Sequence, residues 1–167
     1  MGGKNRLPMK DLVAIFEAAG CAEVKTYIQS GNVVFSAPAK VAKGLAEAVP
    51  EAISAQFGLR VPVVLRSAAD YLAAVEANPF LAEGVPEGAL YLAFLSAKPT
   101  AARVAKLDPA RSPPDAFRVV GMQVYMHCPD GVANTKLTNA YFDSTLGVVS
   151  TARNWRTVLT LAGMLEA

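Results

Sequence analysis

The sequence is poor in the residues that build metal and thiol sites. Its 167 residues include one histidine and two cysteines, Cys21 and Cys128, which lie far apart and form no CxxC pair. One histidine and two cysteines cannot supply a standard zinc site, and such spacing is typical of reduced thiols in the cytoplasm. His127 adjoins Cys128, but neighbours on a strand point to opposite faces. We therefore expect no metal and no cofactor, and structural roles for His127 and Cys128.

Long apolar runs and a strong charge imbalance are also missing. The longest apolar run, residues 89–95, is strand-length, whereas a membrane span needs about 18 apolar residues. No basic segment with an apolar stretch follows Met1, so a secretory signal is not expected. The net charge of +2 does not by itself indicate nucleic-acid binding. These patterns predict a cytoplasmic protein with no membrane partner.

The common catalytic patterns are weak. The acidic residues are scattered, with no close carboxylate pair of the kind that glycosidases and two-metal enzymes use. The serines lack a G-x-S-x-G context and a plausible histidine partner. Hydrolysis by a serine triad is therefore not indicated.

The first part of the chain contains a regular order of elements. Pro8 and Gly20 bracket a helical pattern, and two β-rich runs surround the turn at Gly31-Asn32. A long alanine-rich helix follows from Pro38 to residue 57, and Pro50 is expected to kink it or split it in two. Residues 61–65 form a short apolar strand. The predicted order is α-β-β-α-β.

A linking segment follows. Ser67 is a good N-cap with Asp70 at the capping-box spacing, and Asn78-Pro79 closes the helix. Residues 81–88 are rich in Gly, Pro and Glu and indicate a loop. We therefore expect a first unit at 1–66, a linking helix and loop at 67–88, and a second unit with a C-terminal helix at 89–167.

The second half predicts the order β-α-β-β-α-β followed by one helix, which is the split βαβ or ferredoxin-like unit. Its strands and helices are expected at 89–95, 99–107, 117–120, 123–127, 134–146, 148–150 and 154–165. The first half has the last five of these elements in the same order. The predicted fold is α+β, with two tandem ferredoxin-like (βαββαβ) units of which the first lacks its N-terminal strand.

A missing first strand would have a structural cost. In this unit strand one lies inside the sheet, so its loss leaves backbone donors and acceptors without partners. A start upstream of Met1, a shortened chain, or another segment in the slot would each explain the pattern. The first two are favoured.

Four strings carry a resemblance to a known family. They are GGKN at residues 2–5, TYIQSGNVVF at 26–35, NPF at 78–80 and T-x-RNW-x-T at 151–157. On these strings the chain resembles the mostly bacterial family called domain of unknown function 1697, collinearly over essentially its whole length. Members usually begin with a strand and an RGIN-type turn before GGKN, a stretch absent here. The resemblance supports the fold and implies no settled activity.

Two clusters are candidate anion sites. In the first, a glycine turn with cations leads into a helix start, where backbone N–H groups favour negative charge. The hairpin of the same unit is expected at the same end of the sheet. Its candidate residues are Lys4, Asn5, Arg6, Gln29, Ser30 and Asn32. The alternative is a solvated basic turn and an Asn in left-handed geometry.

The second cluster surrounds the start of the last helix. Thr151 or Asn154 can cap that helix, with Arg153 and Arg156 three residues apart. The turn before the preceding helix is expected to bring Lys136, Asp130 and Asn134 near them. The candidate ligand-binding residues are Lys136, Arg153, Asn154 and Arg156, which suit a phosphate or carboxylate. The alternative is that Trp155 and its apolar neighbours dock the helix, with the arginines as rim charges.

Three functions remain open. The first is a binding module for an anionic ligand, a nucleotide, a phosphate or a nucleic-acid backbone. The second is an enzyme acting on a small phosphorylated or carboxylated substrate, with Asn5, Gln29 and Asn32 orienting it. The third is a self-associating interaction protein, such as a homodimer, that pairs sheet edges. RNA recognition by Tyr91 and Tyr125 on strands one and three would need a stacking platform, although the usual RNA-binding string is absent.

Overall fold

The computed structural model describes residues 7–27 and 31–166 of the chain. The described residues form a mixed α+β structure with two sheets and several helices. The chain divides into two compact units, Met1–Val63 and Val64–Ala167. Residues 67–88 therefore lie within the second unit.

The first unit contains two helices and a two-stranded antiparallel sheet. Helix α1 (Met9–Ala18) begins after Pro8, and strands β1 (Ala22–Tyr27) and β2 (Asn32–Ser36) form the hairpin. Helix α2 (Ala39–Phe57) ends at Gly58, whose φ of +67° is the left-handed conformation that glycine adopts at low cost. The rings of Phe16 and Phe35 lie 5.2 Å apart and join α1 to β2.

Two features of the first unit differ from the sequence prediction. Helix α2 runs unbroken through Pro50, so the proline does not split it. Residues 61–65 belong to no strand. The second unit indicates why residues 61–65 form no strand. There the last strand, β6, is held by pairing with the first strand, β3. The described residues of the first unit contain no counterpart of that first strand, so residues 61–65 have no ladder to join.

The second unit is built around a four-stranded antiparallel sheet. In chain order its elements are α3 (Ala68–Glu76), α4 (Pro79–Ala82), a 3₁₀ turn (Glu87–Ala89), β3 (Leu90–Leu95), α5 (Ala101–Val104), β4 (Ala116–Val120), β5 (Gln123–His127), α6 (Asn139–Leu146), β6 (Ser150–Asn154) and α7 (Trp155–Glu166). The strand order in the sheet is β4-β5-β3-β6. The predicted cap is confirmed, because Ser67 Oγ accepts a hydrogen bond of 3.1 Å from the Asp70 N–H.

Both faces of this sheet are covered. On one face the strands pack with α6 in a core of nine buried side chains, which are Ala93, Leu95, Leu107, Val124, Met126, Cys128, Leu137, Phe142 and Leu146. Side chains alternate along a strand, so Leu92 and Phe94 point to the other face. There the Tyr71 ring of α3 stacks on Phe94 at 5.2 Å. We call this second side the α3/α7 face, because α3 and α7 contact each other and α7 contacts β3.

Three predicted elements shift in the structure. The helix predicted at 99–107 shortens to α5, which Thr100 caps by accepting a hydrogen bond from Arg103. The helix predicted at 134–146 begins only at Asn139, since Thr138 caps it. The last strand extends to Asn154 rather than ending at 150.

The described residues contain no helix that is long and apolar enough to cross a membrane. Within residues 7–27 and 31–166, no three His, Cys, Asp or Glu side chains are placed to hold a metal ion.

Candidate functional site

Most of the first predicted cluster lies outside the described residues. This applies to Lys4, Asn5, Arg6, Gln29 and Ser30. Asn32 is described and is buried at the start of β2. Its Nδ2 donates a hydrogen bond of 3.2 Å to the Tyr27 carbonyl, so at least one of its donors serves the hairpin.

Arg153 is the centre of the second cluster. It lies on β6 opposite Leu92, which places its side chain on the α3/α7 face. Its Nη1 donates hydrogen bonds to Thr151 Oγ1 at 2.7 Å and to the Ala152 carbonyl at 2.8 Å. Burial lowers the pKa of Arg153 from its usual value. An arginine stays charged at neutral pH even so, and these two contacts hold the cation with neutral oxygens.

A second half-buried arginine, Arg66, lies on the ring of Phe94. The Arg66 Cζ is 5.5 Å from the centre of the Phe94 ring, and Thr151 is the cross-strand partner of Phe94. Arg66 Nη2 donates to the Leu95 carbonyl at 2.7 Å and to the Met122 carbonyl at 2.9 Å. Burial lowers the pKa of Arg66, and the charge of Asp70 opposes that shift. Arg66 thus lies beside Phe94, and Arg153 is bonded to Thr151, the residue that pairs with Phe94.

The start of α7 follows directly from Arg153. Asn154 Oδ1 accepts a hydrogen bond of 2.8 Å from the Thr157 N–H and so caps the helix, which is one of the two caps that the sequence allowed. Arg156 is exposed on the first turn, whereas Trp155 is fully buried. The residue order brings Arg153, Asn154 and Arg156 together at one helix start, where the helix dipole favours an anion.

Lys136 lies in another part of the second unit, where its backbone is hydrogen-bonded. Its backbone N–H donates to Ser112 Oγ at 3.0 Å, and its carbonyl accepts a hydrogen bond of 3.0 Å from Arg111 Nε. The next residue, Leu137, belongs to the core on the opposite face of the sheet from Arg153. The structure therefore fixes the Lys136 backbone to the loop around Ser112.

A polar cluster that sequence reasoning missed lies in that loop. Asp115 Oδ2 accepts hydrogen bonds from Thr135 Oγ1 at 2.7 Å and from Ser112 Oγ at 3.0 Å. Thr135 Oγ1 in turn accepts one from the Leu137 N–H at 3.1 Å. Each hydroxyl both donates and accepts a hydrogen bond, so the cluster is a structural one that joins the two loop segments. Asp115 and Thr135 are 20 residues apart, which no local pattern reveals.

The buried thiol beside this cluster is unreactive in character. Burial and the charge of Asp115 raise the pKa of Cys128 to about 11, and a hydrogen bond with Thr135 opposes the shift. The thiolate is the nucleophile, so this environment does not activate the cysteine.

The two tyrosines of a possible RNA platform do not share a face. Tyr91 pairs with Met126 in the ladder, and Leu92 pairs with Tyr125, so the two rings lie on opposite sides of the sheet. Tyr125 is also fully buried, and its hydroxyl donates to the Ala74 carbonyl at 2.6 Å. The stacking-platform hypothesis was therefore wrong.

Comparison with known proteins identifies the family. A model for proteins of unknown function, DUF1697, matches residues 1–125. The chain belongs to the DUF1697 family. The family expected from the GGKN, TYIQSGNVVF and NPF strings is thereby confirmed, whereas the T-x-RNW-x-T string at 151–157 lies outside the matched residues.

A solved structure supports the fold. The chain is similar to the conserved bacterial protein SP0830 from Streptococcus pneumoniae, with a TM-score of 0.67 and 22% sequence identity. The similarity covers 99% of this chain and 92% of that one. No curated protein matches the sequence. For this DUF1697 chain the comparisons establish family and fold and assign no activity.

Proposed function

We propose that this DUF1697 protein is a cytoplasmic binding module for an anionic ligand, such as a nucleotide, a phosphate or a nucleic-acid backbone. Arg153, Asn154 and Arg156 form the centre of the proposed site. The other residues that we propose as ligand contacts are Lys4, Asn5 and Arg6 of the turn and Gln29, Ser30 and Asn32 of the hairpin. Lys136, near Ser112, is a further proposed contact away from Arg153.

The main observation behind this proposal is that hydrogen bonds fix the side chain of Arg153. Its guanidinium is half-buried, and Thr151 Oγ1 and the Ala152 carbonyl fix its Nη1. A cation that is partly removed from water attracts an anion more strongly than a solvated one, because the local dielectric constant is lower. Both of these acceptors, a hydroxyl and a backbone carbonyl, are neutral and orient the guanidinium.

Two further features support the same reading. Arg66 adds a second half-buried cation beside Phe94, and Arg156 lies exposed on the first turn of α7. Arginine binds phosphate and carboxylate groups in planar, bidentate geometry. The α7 N-terminus adds a partial positive charge of the same sign.

A titration over a salt series tests the proposal. Inorganic phosphate, nucleoside mono- and triphosphates and a short oligonucleotide are titrated at low and at physiological salt. We expect binding that weakens as salt rises and that falls at least tenfold in Arg153→Gln. Arg103→Gln is the matched control, because Arg103 is an arginine of the same unit that donates to the Thr145 carbonyl in an exposed contact. Equal loss in both variants, or no binding at low salt, contradicts the proposal.

The same unit supports a finer reading of the fold. The strand order β4-β5-β3-β6, with antiparallel pairs throughout, corresponds to the order of the split βαβ unit. We propose that 89–167 is such a unit and that 1–66 is a related unit without its first strand, joined by 67–88. An experimental structure of the full-length natural protein tests this reading.

A second candidate function is self-association through the sheet of the first unit. Among the described residues, β2 pairs only with β1, and residues 61–65 join no ladder. Two-stranded sheets are marginal alone, and an open edge can accept another strand.

Sedimentation at several protein concentrations tests that function. Consecutive N–H groups of β2 point alternately to β1 and to the outer edge of the sheet. Two single variants, Val33→Pro and Val34→Pro, therefore differ: one loses an N–H of the β1 ladder and the other loses an N–H of the outer edge. We expect the outer-edge variant to stay folded and become monomeric. A wild-type protein that is monomeric at high concentration contradicts self-association.

A further inference from the structure

Arg111 is stacked on an aromatic ring at the surface of the second unit. Its Cζ atom lies 3.9 Å from the centre of the Tyr141 ring of α6, which is van der Waals contact. Arg111 is exposed, so the ring covers one side of the guanidinium and the other side faces solvent. The stack thus presents an open cationic plane.

Hydrogen bonds hold both members of this stack. Arg111 Nε donates to the Lys136 carbonyl at 3.0 Å, and the Lys136 N–H in turn donates to Ser112 Oγ. The Tyr141 hydroxyl accepts a hydrogen bond of 2.8 Å from the Asp108 N–H. The guanidinium and the ring are therefore oriented before a ligand arrives, which lowers the entropy cost of binding.

The two Nη groups of Arg111 are unused within the described part of the chain. No residue in that part accepts a hydrogen bond from them. A guanidinium offers parallel N–H donors that match two oxygens of a phosphate. The plane of an arginine also supports a stacked base in proteins that bind single strands. One side chain can therefore contact both a phosphate and a base.

Two lysines add positive charge around the stack. Lys136 supplies the carbonyl that orients Arg111, and Lys106 lies two residues before the loop residue that bonds the Tyr141 hydroxyl. Both lysines are exposed. Neither of them, nor Arg111, forms an ion pair with residues 7–27 or 31–166. We call Lys106, Arg111, Lys136 and Tyr141 the Tyr141 surface.

The acidic residues of the same loops are bonded to neutral groups of the protein. Asp108 Oδ1 accepts a hydrogen bond of 2.9 Å from the Ala110 N–H. Asp115 Oδ2 accepts from the hydroxyls of Ser112 and Thr135. These carboxylates do not pair with the cations of the Tyr141 surface, so an anionic partner would supply the charge that the surface lacks.

We propose that the Tyr141 surface binds the backbone of a single-stranded nucleic acid. A phosphate binds the Nη groups of Arg111, a base stacks on the open side of the guanidinium, and the lysines contact neighbouring phosphates. A nucleic acid fits better than an acidic peptide, because a carboxylate side chain has no ring to cover the open plane. Tyr141 packs against the core on the opposite face of the sheet from Arg153, so this inference goes beyond the proposed function.

Titration of the Arg153→Gln variant with an oligothymidylate tests the proposal, because that variant lacks the centre of the other site. We expect the Arg111 Nε–H signal and the Tyr141 ring signals to shift together, and binding to weaken as salt rises. Adding Arg111→Gln should lower the affinity at least about fivefold. It should also reduce the slope of log affinity against log salt by about 0.7, the value for one phosphate contact of a single strand.

Two matched variants separate the plane from the charge. Arg111→Lys keeps the charge and removes the plane, so it should still lower the affinity, by at least about threefold. Arg103→Gln removes the same charge from a guanidinium that donates to the Thr145 carbonyl near the end of α6, where the helix dipole is negative. It should change the affinity less than about twofold.

Three results would overturn the proposal. The first is an oligothymidylate that shifts neither Arg111 nor Tyr141 at low salt, in Arg153→Gln or in wild type. The second is an equal loss of affinity in Arg111→Gln and Arg103→Gln. The third is polyglutamate that binds as tightly as the oligothymidylate, which would assign the surface to an acidic protein.

The proposed function can fail separately. It fails if wild type and Arg153→Gln bind inorganic phosphate equally, whereas oligothymidylate shifts at Arg111 and Tyr141 would still support the present inference. The wild-type spectra decide the question alone if Arg153→Gln does not fold.

Discussion

The hydroxyl of Tyr71 donates a hydrogen bond of 2.8 Å to the backbone carbonyl of Val158. The contact joins α3 to the first turns of α7 across 87 positions of sequence. The Tyr71 ring also stacks on Phe94 of β3. One side chain thus connects two helices and the sheet beneath them, on the face that carries Arg153.

Removal of this hydroxyl should weaken the second unit without disturbing the aromatic stack. We expect Tyr71→Phe to lower the free energy of unfolding by about 1 kcal/mol, the usual net value of a buried hydrogen bond. Urea unfolding followed by circular dichroism measures the change. Tyr91→Phe on the opposite face is the control, and an equal loss in both variants would show that the Val158 contact contributes nothing.

Alkaline pH should destabilise the protein through Tyr125. Burial raises its pKa to about 12 from the usual 10. The unfolded chain therefore loses this proton first, so the stabilising contribution is complete below pH 10 and disappears as pH rises towards 12. We expect wild type to exceed Tyr125→Phe in stability by about 1 kcal/mol at pH 8. That difference should shrink above pH 10, and a gap that stays constant to about pH 11.5 refutes the assignment.

The Asp115 cluster should act as one unit. Asp115→Ala removes the acceptor of two hydroxyl groups, and we expect a loss of about 1–3 kcal/mol in unfolding free energy. Asp130→Ala, an exposed acid in the next loop, should cost far less. Thr135→Val should then cost less in the Asp115→Ala background than in wild type. Strict additivity of the two changes would mean that the hydrogen bond of 2.7 Å does not couple them.

Local signals in the sequence predict local structure well. Ser67 and Asp70 predict a cap that the structure contains, and the turn at Gly121 predicts the β4–β5 hairpin. These features depend on residues within a few positions of one another. The four family strings are equally local, and the DUF1697 membership that they indicate is confirmed.

Features that depend on distant partners are harder to predict. Residues 61–65 have the composition of a strand, but a strand forms only beside another strand. The Asp115–Thr135 contact and the position of Arg66 beside Phe94 arise from chain segments that the sequence does not place together. The opposite orientation of Tyr91 and Tyr125 follows from ladder register, which the sequence leaves undetermined.

Gly147 provides a test of the packing around Arg103. Its φ is +71° at the end of α6, where a Cβ atom would lie 2.8 Å from Arg103 Nη1. Gly147→Ala should therefore cost about 1–2 kcal/mol of left-handed strain, and it should also displace the guanidinium from the Thr145 carbonyl. The second cost should vanish in an Arg103→Ala background, because the displaced group is then absent.

A double-mutant cycle in urea separates the two costs. We expect Gly147→Ala to be about 0.5–1 kcal/mol less damaging when Arg103 is already alanine, within the range seen for residues in contact. Gly163→Ala is the control in the same unit, since Gly163 is helical and a Cβ atom there meets open space. It should leave stability unchanged or raise it, since alanine has the higher helix propensity. Additive costs for Arg103→Ala and Gly147→Ala would place the whole penalty in the backbone and none in the contact.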